Sequence, residues 1–304
     1  MTRWTAVLVL LLGLAAPAQG REVRETGRFQ IHFEASEGDL ADIVSEHIEA
    51  TAKEVEAKLG LPFDFDVSVW LLTDGQYRRW VPNRQGEWSV AVAWPREGRI
   101  LLNTGRVNLR NNAYQTLKHE LVHLALGRVE TRVHARFPLW FHEGVAQWAV
   151  GTLFGGTGSD LSLRAAAGTL LPLRDLDAAF PPGGPDVPLA YAESYDVILR
   201  LQRVAGEDAV RRVIRGVAEA RPFPRAFERV AGRSLARFEE EWARELGGGP
   251  PAFFIYLSEN PWMVFIVLMA VGAVALGAGY LRYRRRRARI LRQWEEEEAM
   301  GESP

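Results

Sequence analysis

Apolar and polar positions along the chain follow two different periods, and the change comes near Asn111. Ahead of it, "RFQIHFEA" (Arg28 to Ala35) alternates as a half-buried strand does. "DLADIVSEHIEATAKEVEAKLG" (Asp39 to Gly60) spaces its apolar residues three and four apart and closes on glycine, which predicts an amphipathic helix. "FDVSVWLLTD" (Phe65 to Asp74) reads as a strand ending in a turn, and "WSVAVAWP" (Trp88 to Pro95) and "RILLNTG" (Arg99 to Gly105) as two more strands separated by "REG". Beyond Asn111 nearly everything to Leu246 has helical spacing, broken at "FGGTGSD" and "FPPGGPDVP". A small mixed sheet followed by a mostly helical half predicts an α+β fold.

Two apolar runs fall outside this scheme. Residues Met1 to Gly20 carry an early Arg3, an apolar stretch from Trp4 to Leu14, and then small residues with a proline, the layout of a secretory signal peptide. Trp262 to Leu281 holds no charge, and at about 1.5 Å of rise per residue it covers roughly the 30 Å of a hydrocarbon core. "RYRRRRARILR" follows at once, as expected on the cytoplasmic side of a single-pass anchor in the cytoplasmic membrane. The expected organisation is therefore a signal peptide over 1–20, an extracytoplasmic domain over 21–246, a Gly/Pro linker over 247–261, a transmembrane helix over 262–281 and a cytoplasmic tail over 282–304. The domain would face the periplasm or the cell exterior.

Composition narrows the chemistry. There is no cysteine among the 304 residues, so thiol nucleophiles, disulfides and cysteine-ligated zinc are all excluded. The formal net charge of −1 singles out no partner, and the basic run beside the anchor serves orientation, so no nucleic-acid partner is expected.

The informative stretch is "TLKHELVHLALG" (Thr116 to Gly127), in a helix expected over Asn112 to Leu126. His119 and His123 are four apart and so share one helix face, at a separation that suits two imidazoles on one ion. Glu120 is turned about 100° round the helix, too far to ligate comfortably but close enough to reach a water. This is the mechanical content of H-E-x-x-H: two ligands and a general base on one rigid element. A third ligand is available in "FPLWFHEGVAQWAV" (Phe137 to Val150), where Pro138 suits a helix start and Glu143 sits in an almost wholly apolar stretch. A buried carboxylate there needs a positive partner, and two histidines with one glutamate form a catalytic zinc set whose fourth position is left to water. His142 competes with Glu143 but lies on another side of the helix. The alternative pattern, with glycine three and histidine six residues after His123, is not met, since Leu126 and Val129 stand there. Gly144 and Ala146 are small, and the expectation is that they let this helix approach the first closely.

"HELVH" followed by "LWFHEGVAQW" resembles the gluzincin metallopeptidases, and most closely their peptidase MA-like domains, which carry H-E-x-x-H and then W-x-x-E-G-x-A. "LAYAESYDVILRLQRVAGEDAVRRVI" (Leu189 to Ile214) is also similar to that group. The resemblance implies a zincin-like fold, zinc on His119, His123 and Glu143, and Glu120 as the base. It further implies Tyr191 as a hydrogen-bond donor to the oxyanion, with Tyr195 one turn on and His134 between the two helices as alternatives. The G-x-M-E-N of the aminopeptidase branch has no counterpart between Trp88 and Asn111, so cleavage within a protein or peptide substrate is expected. In zincins the strand before the first helix is typically a sheet edge that pairs with substrate, a place expected here for "RILLNTG". Two other functions fit the same residues: an inactive zincin-fold scaffold of the cell envelope, and a zinc hydrolase of a non-peptide bond.

Overall fold

The computed structural model describes residues 20–81, 89–107, 113–151, 158–180, 186–248 and 260–301. The expected signal peptide, apart from Gly20, and most of the expected linker lie outside the described residues. The chain divides into two compact units, one of residues 1–156 and 171–242, the other of 157–170 and 243–304.

The first unit opens on a sheet of β1 (Arg21–Thr26), β2 (Phe29–Glu34), β3 (Val67–Leu72), β4 (Ala91–Trp94) and β5 (Arg99–Asn103) in the order β1-β2-β3-β5-β4. β2, β3 and β5 run parallel, while β1 and β4 pair antiparallel on the two flanks. Alternation sends Phe29, Ile31, Phe33, Val67, Val69, Leu71, Ile100 and Leu102 into the core. Leu40, Val44, Ile48 and Val55 of α1 (Gly38–Leu59) join them, and Gly60 ends that helix in the left-handed conformation with φ 67°.

Two elements escape the sequence patterns. β1 reads "REVRET", with one apolar residue in six, because it is a flanking strand with no buried face to declare in its sequence. The turn expected after "FDVSVWLLTD" is the start of α2 (Asp74–Trp80), where Gln76 Oε1 accepts from the Thr73 N–H at 3.1 Å. Tyr77 and Val81 then cover Leu72 and Leu101 on the outer face of the sheet.

The helical half follows with α3 (Ala113–Val133) and α4 (Leu139–Val150). The segment Gly158–Ala166, within the second unit, forms α5. In the first unit come α6 (Leu176–Ala179), α7 (Val187–Ala205), α8 (Ala209–Ala218) and α9 (Phe223–Ala231). α4 lies between α3 and α7. Gly144 does not serve the approach of α4 to α3. A Cβ there would fall 2.4 Å from the backbone oxygen of Ser194, so the small residue is needed for the approach to α7. α3 comes close to the sheet at Gly127 instead, where a Cβ would fall 2.3 Å from the Pro95 ring.

α10 (Leu235–Gly247) straddles the division between the units, and α11 (Pro261–Gly301) lies in the second. The stretch Trp262–Arg289 of α11 is long and apolar enough to cross a membrane and is exposed along its length.

Candidate metal centre

Helix geometry brings His119 and His123 to one face of α3, and α4 delivers Glu143 opposite them. Glu143 Oε2 lies 3.2 Å from His119 Nε2 and 3.6 Å from His123 Nε2. The three ligand atoms all lie within 4.8 Å of one another, a group able to hold a metal ion. A tetrahedral ion bonded to nitrogen and oxygen at about 2.0–2.1 Å spaces its ligands about 3.3–3.4 Å apart, so the observed separations are close to the edges of such a set. Glu143 Oε2 is also buried without a hydrogen bond of regular geometry. Its near neighbours are the two imidazoles, and a cation placed between them and the carboxylate would satisfy all three.

The electrostatics agree. Burial by itself would raise the Glu143 carboxyl, but the facing imidazoles, His123 foremost, outweigh it and hold the group well below the usual carboxylate range. Burial opposes a charge on His123, yet Glu143, Glu120 and Glu130 raise it to about 9. Glu120 shows the opposite balance. Burial raises it, helped by Glu143, against the two imidazoles and a backbone N–H from Ala93.

These side chains line a cleft of about 580 Å³ whose far wall is β4, with Ala91, Val92 and Ala93 beside Thr116 and Leu139. The strand expected as the sheet edge, "RILLNTG", is β5, and it is interior, held between β3 and β4. The edge is β4. Val90 O accepts from Asn103 N on the β5 side, while the Ala93 N–H turns the other way, to Glu120. Alternation then directs the polar backbone groups of Ala91 and Ala93 into the cleft.

A family profile described as the Peptidase MA superfamily matches residues 67–248. The chain belongs to this superfamily. No curated protein matches it. Membership makes the domain peptidase-like, a hydrolase at the family level and typically metal-dependent. The match begins at β3, so β1, β2 and α1 precede the shared region while completing its sheet.

Within this peptidase MA domain, Tyr191 at the start of α7 lines the cleft, its ring edge-on to Phe180 at 5.2 Å between centroids. Burial and the carboxylates of Glu143 and Glu120 raise its hydroxyl, keeping it protonated as a donor. Tyr195 and His134 are not among the lining residues; His134 sits exposed beyond α3 with φ 53°. His142 lines the cleft but turns to His123 and Glu130 instead of joining the three ligand atoms. Sequence reasoning missed Gln147. It is fully buried one turn after Glu143, and its side-chain amide donates to the backbone oxygen of Tyr191 at 2.8 Å. The signal in the sequence is a glutamine four residues after Glu143 in a mostly apolar helix.

Proposed function

We propose that this protein is a membrane-anchored zinc metallopeptidase that cuts within peptide chains outside the cytoplasm. The observation that carries the reading is the convergence of His119, His123 and Glu143 on one point, with Glu120 beside it in a cleft walled by β4, an edge strand among the described residues. A zinc ion on those three ligands would supply a water of lowered pKa and a Lewis acid for the scissile carbonyl.

The chain's own residues do the rest. Glu120, raised by burial, takes the proton of the attacking water and passes it to the leaving nitrogen. The Tyr191 hydroxyl donates a hydrogen bond to the carbonyl oxygen as negative charge develops there, keeping its proton. The open edge of β4 receives an extended substrate by main-chain hydrogen bonding, which suits a peptide of any terminus. The exposed apolar length of α11 anchors the chain, and the arginines after Leu281 orient it with its tail in the cytoplasm.

The test is cleavage of a denatured protein by the purified full-length chain in detergent. Activity should be abolished by a chelator and restored by zinc. A chain that binds no zinc, or that cleaves equally well after complete metal removal, overturns the reading.

A further inference from the structure

His123 does more than face Glu143. Its Nδ1 lies 3.4 Å from Nδ1 of His142, and the two ring planes are inclined by 29° with centroids separated by 5.6 Å. On its far side, His142 Nε2 lies 3.2 Å from Glu130 Oε1. The same carboxylate oxygen accepts the backbone N–H of Phe137 at 2.7 Å, which ties it to the loop just before α4. His123 and Glu130 are seven residues apart on α3, so they share one stripe two turns apart, and α4 inserts His142 between them.

We propose that Glu130 and His142 form a proton-ordered relay that positions His123 as a ligand and strengthens its donor nitrogen. The inference rests on the metal-site reading above and extends it to two residues outside the group of three ligands. With Nε2 of His123 offered to the metal, its proton must sit on Nδ1. It then donates to Nδ1 of His142, which must accept through its lone pair. The remaining His142 proton is thereby placed on Nε2, where it donates to the Glu130 carboxylate. One arrangement of neutral tautomers satisfies every atom in the row. A carboxylate at the end of such a row makes a ligating imidazole more basic and fixes its ring, and losing such support typically costs about 10–100-fold in metal affinity.

The experiment measures zinc affinity of the full-length chain in detergent by competition with a chromophoric chelator. His142→Phe keeps a ring of similar shape but no acceptor, and should bind zinc about 10–100-fold more weakly. His142→Asn places an amide oxygen near the lost Nδ1 and should recover a large part of that loss. A filler role for His142 gives the reverse order, phenylalanine better than asparagine. Should His142→Phe fail to fold, Glu130→Gln carries the same test. It keeps an acceptor for Phe137 and His142 while removing the charge, and should weaken zinc by about tenfold. Nitrogen-15 histidine spectra of the zinc-loaded protein should show His123 protonated at Nδ1 and His142 at Nε2. A wild-type chain that binds zinc while the variants match it, or a His142 protonated at Nδ1, overturns the relay and leaves the metal site standing. A wild-type chain that binds no zinc overturns both.

Discussion

Gly144→Ala tests the closeness of α4 and α7 on which the centre depends. The added Cβ would lie 2.4 Å from the Ser194 backbone oxygen, 2.9 Å from its carbonyl carbon and 2.8 Å from Ile198 Cγ1. Carbon atoms prefer about 3.5–4.0 Å, so the helices must separate by about 1 Å. The obstructing atoms of Ser194 are backbone and have no rotamer to escape into. Alanine would favour an isolated helix over glycine by about 1 kcal/mol, whereas overpacking of this kind costs about 1–3 kcal/mol. Strain should win, by up to about 2 kcal/mol, lowering Tm by a few degrees, since about 2–4 °C accompanies each kcal/mol in a domain of this size.

The larger effect falls on the site. Glu143 is the adjacent residue, and its oxygen sits 3.2 and 3.6 Å from the imidazole nitrogens. Relieving the clash by moving α4 about 1 Å away from α7, on the side where α3 packs, takes Glu143 out of its spacing to the imidazoles, and displacements of that size can cost about 10²-fold in rate. The assay compares Tm of the chelated chain, zinc affinity and peptide cleavage against Gly38→Ala, where an added Cβ meets nothing within 4 Å and stability should hold or rise. A Gly144→Ala chain that binds zinc and cleaves as wild type does would refute the account of how these helices place Glu143.

Glu120→Gln should keep bound zinc yet lose about 10²–10⁴-fold in turnover of a denatured protein, and full activity would remove Glu120 as the base. Tyr191→Phe should lower kcat by about 10²–10³-fold with little change in KM, because the ring still packs against Phe180 while the donor is gone; an unaltered kcat removes Tyr191 from the chemistry. In the metal-free chain His123 is raised from 6.5 to about 9 by its carboxylate neighbours. The stability this contributes is complete below the unfolded value and lost as pH rises through the folded one. Tm of the chelated protein should therefore fall between about pH 6.5 and 9, and a flat or rising Tm over that window contradicts the pairing.

Much of the centre could be read from sequence because its parts are local. Four-residue spacing on a helix puts His119 and His123 on one stripe whatever the rest of the chain does, and an acidic residue in an otherwise apolar helix marks Glu143 as needing a positive partner. Strand alternation located β2, β3 and β5, and the uncharged run after Pro261 declared its length without reference to any fold. Pairing between distant segments was different. That β4 and not β5 forms the open edge depends on which strands found each other, and no periodicity within "AVAW" or "RILLN" encodes it. The partner of Gly144 was likewise set by where α7 docks, since a missing Cβ tells of a close approach and not of what approaches. His142 looked like a rival ligand in sequence. Only the placement of α4 against α3 turned its ring between His123 and Glu130, because the direction of a side chain across an interface is decided by both surfaces together.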